Sequence, residues 1–119
     1  MNRVDAEDVD FKEDGTPTYQ GKTYTGEIVE YDEAENMASL TTYRNGHEEG
    51  PSLEWYSDGT PLAEGTVAFG KGAIGPWRRW HPNGKLAREK VFDDEGRTLS
   101  IHEWDKEGNL IKEKILNKP

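Results

Sequence analysis

Apolar residues along this chain recur at every second position rather than at helical spacing. Leu53 and Trp55 alternate with Glu54 and Tyr56, and Leu86, Arg88, Lys90 and Phe92 alternate with Ala87, Glu89 and Val91. A period of two marks a β-strand, whose successive side chains point to opposite faces. The pattern predicts strands over 27–32, 37–44, 51–57, 62–69, 77–81, 85–92, 98–104 and 110–116. Only Arg88–Asp94 would pass as helix on propensity, and its place in the pattern makes it strand. The 13 glycines and 6 prolines punctuate the chain every few residues, which disfavours helix elsewhere. Ser57-Asp58-Gly59, Pro82-Asn83-Gly84 and Glu107-Gly108 fall between the strands. Asp-Gly and Asn-Gly are strong hairpin signals and predict type I′ turns.

The strands and turns repeat. Trp55-Tyr56-Ser57-Asp58-Gly59, Trp80-His81-Pro82-Asn83-Gly84 and Trp104-Asp105-Lys106-Glu107-Gly108 each set an aromatic four residues before a glycine, and the aromatics lie 25 and then 24 residues apart. A fixed period in the twenties indicates a repeat array, which offers an extended surface rather than an enclosed pocket. Units start near Gly21, Gly46, Gly72 and Gly96, and the last has Ser100 where its second glycine should stand. Phe11-Lys12-Glu13-Asp14-Gly15 looks like the turn half of one more unit. Tyr31, Trp55, Trp80 and Trp104 then occupy equivalent positions and are expected to form a ladder of stacked rings. Leu62, Leu86 and Leu110 are expected to form a stripe beside it. The fold class is all-β, an elongated array of antiparallel β-hairpins. It comprises a flexible acidic segment over 1–8 and a single domain over 9–119.

Composition supports this picture. Apolar residues are 32% and charged residues 33% of the 119, a balance typical of disordered chains, yet five tyrosines, four tryptophans and three phenylalanines supply large buriable rings. No cysteine is present, which excludes disulfides, thiolate metal sites and a cysteine nucleophile. The first 14 residues carry Asp5, Glu7, Asp8, Asp10, Glu13 and Asp14, unlike a signal peptide, and no apolar run is long enough to span a membrane. A cytoplasmic location is expected.

The net charge of −9 is uneven: residues 1–60 hold 15 Asp and Glu against 4 Lys and Arg, and residues 61–119 hold 9 against 11. The acidic half repels nucleic acid and anionic lipid and attracts basic partners. Solubility alone would also account for it.

Tyr43-Arg44-Asn45-Gly46-His47-Glu48-Glu49-Gly50, followed by Trp55-Tyr56-Ser57-Asp58-Gly59 and Leu62, resembles the variant MORN repeat (membrane occupation and recognition nexus). Gly72-Ala73-Ile74-Gly75-Pro76-Trp77 and Asn83-Gly84-Lys85-Leu86 resemble a second copy of it. The first unit departs, with Asp32-Glu33-Ala34-Glu35-Asn36 at its turn, and the resemblance covers about residues 19–116. It implies an elongated meander of hairpins and no catalytic residue. Small bacterial proteins built of such repeats resemble antitoxins and immunity proteins, which neutralise a toxin by binding it.

The remaining candidates for chemistry have plain structural readings. His47, His81 and His102, spaced by 34 and 21, fit no metal motif. Acid–base catalysis by paired carboxylates needs a pocket that shifts a pKa, and a thin hairpin array has few. Ser39, Ser52, Ser57 and Ser100 sit in no nucleophile elbow. Gly70-Lys71-Gly72 lacks the flanking elements of a phosphate loop. Arg78, Arg79, Arg88 and Lys90 with Trp77 and Trp80 suggest single-strand stacking, but the overall charge has the wrong sign.

The expected function is therefore stoichiometric neutralisation of a cognate protein toxin with a basic surface, with no cofactor, nucleic acid or membrane involved. The expected contact residues are Tyr31, Tyr43, Trp55 and Tyr56, flanked by Glu27, Glu30, Asp32, Glu33, Glu48, Glu49, Glu54 and Asp58. Aromatic anchors inside a charged rim are the usual make-up of a protein hot spot. The protein is expected to be a monomer or weak dimer. The alternative is a structural scaffold that self-assembles or touches lipid, with 110–116 pairing edge to edge.

Overall fold

A computed structural model describes residues 2–116; Met1 and residues 117–119, which belong to the expected 1–8 segment and 9–119 domain, lie outside the described residues. The chain opens with β1 (Arg3–Asp5), one 3-10 turn (Ala6–Asp8), β2 (Asp10–Phe11), β3 (Pro17–Tyr19) and β4 (Lys22–Thr23). The repeat follows as β5 (Gly26–Tyr31), β6 (Met37–Arg44), β7 (His47–Trp55), β8 (Pro61–Ala68), β9 (Gly72–Trp80), β10 (Leu86–Phe92), β11 (Thr98–Trp104) and β12 (Leu110–Ile115). These last eight correspond to the eight strands expected from the alternation. β7 and β9 start earlier than expected because Gly50 and Gly75 lie inside them, at φ of 115° and 67°, rather than in turns.

The strands form a nine-stranded sheet in the order β1-β5-β6-β7-β8-β9-β10-β11-β12, and β2-β3-β4 form a small second sheet. From β5 to β12 every neighbour is antiparallel, a continuous meander. The structure is thus all-β, an extended array of hairpins. Its radius of gyration is 16.1 Å, against roughly 13.5 Å for a compact chain of this length.

The acidic start, expected to be mobile, carries a strand. β1 runs parallel to β5, with Val4 opposite Ile28. The physical reason is apolar: Val4, Ala6, Tyr19 and Tyr43 pack around a cluster of Val9, Tyr24 and Ile28. The core lies at this end. Val9, Tyr24, Ile28, Val29 and Leu40 are its buried hydrophobics, and among the described residues from 51 onward none is fully buried.

Beyond the core the sheet is one layer thick, and paired side chains hold its rows. One row runs through directly opposed residues Val29, Leu40, Leu53, Glu64, Arg78, Glu89, His102 and Glu113. It begins apolar and becomes a ladder of charge. Arg78 sits 3.5 Å from Glu64 and 2.8 Å from Glu89, and His102 lies 3.1 Å from Glu113. Opposite charges across a strand pair contribute about 0.2–1 kcal/mol each.

The turns at one end of the sheet share one form. In 56–60 the Gly59 amide donates to the Tyr56 carbonyl at 2.9 Å and the Tyr56 amide donates to Thr60 at 2.8 Å. The same two bonds recur in 32–36, 81–85 and 105–109, and in 93–97 at the opposite end. In the Asp58-Gly59 and Asn83-Gly84 pairs only the glycines have positive φ, 89° and 88°, so these are not the expected type I′ turns. They are three-residue loops, a type I turn closed by a left-handed residue, and the strand register shifts beside them at Glu54/Trp55. In the first unit Glu35 takes the left-handed position at φ 66°.

The expected ladder of stacked rings does not form. Trp55, Trp80 and Trp104 do occupy equivalent places, each ending a strand before its turn. However, β8 and β10 intervene, so these rings sit two strand spacings, about 9.5 Å, apart. Ring contact needs centroids within roughly 7 Å. The units are joined instead by the residue after each ring. The Tyr56 hydroxyl donates to the Trp80 carbonyl at 2.6 Å, and His81 Nε2 donates to the Trp104 carbonyl at 2.8 Å. Trp80 and Trp104 face Leu86 and Leu110 across the neighbouring strand.

Two substitutions test this account. Glu35→Gly should raise stability by about 0.5–1 kcal/mol, because a left-handed L-residue costs roughly 1–2 kcal/mol and glycine's extra chain entropy offsets part of the gain. Gly65→Ala should lower it by about 1–3 kcal/mol, because a Cβ there would clash with the Trp77 indole. Urea midpoints at unchanged m-value check both.

Candidate functional site

Two grooves flank the acidic and basic parts of the sheet. The first is open, about 820 Å³, and is lined by Asp5, Ala6, Glu7, Glu30, Tyr31, Asp32, Glu33 and Glu35. It arises because β1 brings the 3-10 turn alongside the β5–β6 turn. Tyr31 stands among the carboxylates, 46% exposed. Glu7, Glu30, Glu33 and Glu35 make no ion pair among the described residues. Asp32 is occupied structurally: its Oδ1 accepts from the amides of Ala34 and Asn36, each at 2.9 Å.

Glu30, Tyr31, Asp32 and Glu33 are thus the expected contact residues that meet in one place. The others are dispersed. Glu27 is paired with Arg3 at 3.0 Å. Tyr43 packs against the core cluster, and burial, then Glu48 and Glu30, push its phenol up. Glu48 lies opposite Tyr43, and Glu49 is 3.4 Å from Arg44. Trp55 and Tyr56 belong to the next unit's turn, where Tyr56 is tied to Trp80. Glu54 lies on the rim of the second groove. Asp58 is a turn cap, accepting from the Thr60 amide at 2.9 Å and its hydroxyl at 2.6 Å.

Residue-by-residue reading missed Asp5 and Glu7, because nothing in the repeat predicts that β1 returns to β5. The available signal was the pair of valines, Val4 and Val9, within the acidic start.

The second groove, about 230 Å³, lies over β7–β10 and is lined by Glu54, Ala63, Ala73, Trp77, Arg78, Arg79, Arg88, Lys90 and Phe92. Among the described residues no group of three or more His, Cys, Asp and Glu side chains is placed to hold a metal ion. No helix among them is long and apolar enough to cross a membrane.

Both grooves are open to the surface of the sheet rather than enclosed. Residues 74–94, which span most of β9, its turn and β10, match the MORN repeat variant. The match falls on the third unit rather than on the second, whose motif is fuller in the sequence. No curated protein and no solved structure matches the chain.

Asp58, Asp93 and Asp105, each in a turn, are held below the ordinary carboxylate range. Hydrogen bonds from Thr60 hold Asp58 below the ordinary 3.8, the Arg97 amide does the same for Asp93, and the Asn109 amide for Asp105. Their folded values are depressed, so the stability they add is complete above pH 3.8 and is lost as pH falls through the depressed values. Asn83 caps its turn without titrating, its Oδ1 accepting from the Lys85 amide at 3.0 Å. The combined variant Asp58→Asn, Asp93→Asn, Asp105→Asn should therefore show a flatter stability–pH profile below about pH 4. Urea titrations between pH 7 and pH 2 measure it. An unchanged acid slope would contradict the cap role.

Proposed function

We propose that this protein is a stoichiometric binding protein of the antitoxin or immunity type, which docks a basic surface of a protein toxin into the acidic groove. The observation that carries the reading is the convergence of Glu7, Glu30, Glu33 and Glu35, without cationic partners among the described residues, around exposed Tyr31. Carboxylates held close together at one end of an elongated molecule raise local potential and steer a cationic partner. Tyr31 supplies the apolar anchor that charge alone lacks. Like-charged carboxylates also repel one another, and a lysine- or arginine-rich partner relieves that cost. Because screening acts over about 8 Å at physiological salt, the basic half of the sheet does not cancel this end.

A second reading, self-assembly through β12, is favoured by its exposed Leu110, Ile111 and Ile115 at the free edge of the sheet. Charge limits the two-fold form of it. An antiparallel two-fold pairing centred on Lys112 or Glu113 sets that residue against its own copy, and like charges directly opposed are destabilising.

The test is expression of the proteins encoded on either side of this one, each alone and together with it. The reading expects growth rescue and a 1:1 complex on size exclusion. Glu30→Lys with Glu33→Lys, which leaves the Asp32 cap intact, should weaken that complex at least tenfold and flatten its salt dependence. A complex of unchanged affinity and salt response would contradict acidic docking, and absence of rescue would contradict the antitoxin role.

A further inference from the structure

The second groove sets cations without carboxylate partners beside a firmly packed ring. Trp77 lies against Gly65, where a Cβ would clash with the ring, and its Nε1 donates to the Thr66 carbonyl at 3.1 Å. Packed against this backbone, the indole forms the floor of the groove beside Ala63, Ala73 and Phe92. Cations stand over this floor. Arg79 faces Arg88 directly across β9 and β10, and Lys90 faces Trp77. Like charges directly opposed destabilise a strand pair. Arg88 is relieved by Glu103 at 3.6 Å, but Arg79 and Lys90 make no ion pair among the described residues. Lys90 instead lies 5.0 Å over the Phe92 ring. The other face of the same strands pairs its charges fully, Arg78 with both Glu64 and Glu89.

We infer that this groove binds an acidic peptide segment of a partner protein, with an apolar side chain seated on Trp77 and flanking carboxylates on Arg79, Arg88 and Lys90. Charge complementarity and size decide the occupant. The volume, about 230 Å³, accommodates one large side chain rather than a run of stacked bases. A single strand also needs a continuous cationic track, whereas Glu54 and Glu103 bound this one on either side. A short acidic segment brings only the few charges that Arg79 and Lys90 leave unmet. Guanidinium groups grip carboxylates through paired hydrogen bonds, which gives such a site direction as well as charge. This site is separate from the acidic groove and does not depend on the function proposed for it.

The test uses a fluorescein-labelled peptide, Asp-Glu-Asp-Phe-Glu-Asp, in fluorescence anisotropy with the full chain. Saturable binding with Kd of about 1–100 μM is expected. Replacing the phenylalanine by alanine, or Arg79→Glu or Lys90→Glu in the protein, should each weaken it at least tenfold. Arg79→Gln should weaken it less, and keeps the test valid if charge reversal disturbs folding. Lys22→Glu, far along the chain in β4, should leave it within twofold. Binding unaffected by Arg79→Glu, or no binding at 1 mM peptide, would overturn the proposal. Tighter binding of a labelled oligothymidylate of about 15 nucleotides would also overturn it and assign the groove to single-stranded nucleic acid.

Discussion

A β-sheet with two wet faces has little to hold it flat, because most of its stabilisation comes from burying one face. In this protein only the first strands satisfy that requirement. β5 and β6 carry the buried Ile28, Val29 and Leu40, and Val9, Tyr24 and Val4 of the N-terminal segment pack with Ile28. From β8 onward the opposed row changes character at Glu64, and ion pairs with Arg78 and Glu89 take over from aliphatic contacts. Each such half-exposed pair adds little alone. Together with unbroken antiparallel pairing, turn caps and the Tyr56 and His81 latches, they let the array continue beyond its core. Stability in such an array is carried by nearest neighbours, so it is graded along the chain.

That gradient explains where the surfaces for partners arise. Pairing β1 beside β5 delivers Asp5 and Glu7 to the turn that already carries Glu30, Asp32 and Glu33. The core and the acidic groove therefore share one origin. Farther along, faces that need no cover are free to hold residues the fold does not require. Arg79 and Lys90 are of this kind, since the charge ladder on the opposite face already ties their strands together. The uneven charge of the sequence thus becomes two local chemistries on one sheet, separated by more than a screening length along a molecule 48 Å in its longest dimension.

The repeat itself was legible because each signal had a local cause. Alternation at Leu53–Tyr56 and Leu86–Phe92 located strands, and the Asp-Gly and Asn-Gly pairs located turns. What misled was treating those dipeptides as two-residue turns. Their register depends on the bulge beside the preceding aromatic, a property of strand pairing rather than of two residues. The ring ladder failed for a related reason: equivalence in a repeat of two strands places rings two spacings apart. β1 to β4 were not legible, since strands of two or three residues in an acidic stretch carry almost no periodic signal. The same gap hid Asp5, Ala6 and Glu7 of the acidic groove. Glu30, Tyr31, Asp32 and Glu33 were visible as neighbours in sequence. By contrast, Glu27, Glu49 and Asp58 were expected on charge alone, and local partners occupy them.

The central claim is that one buried end supports a progressively more exposed array. Native-state amide hydrogen exchange, resolved by strand, measures this directly. The account predicts the highest protection in β5 and β6, falling through β8–β10 and lowest in β12, with single-strand differences equivalent to about tenfold or more in exchange rate across the gradient. Uniform protection from β5 to β12, or the highest protection in the C-terminal strands, would contradict it.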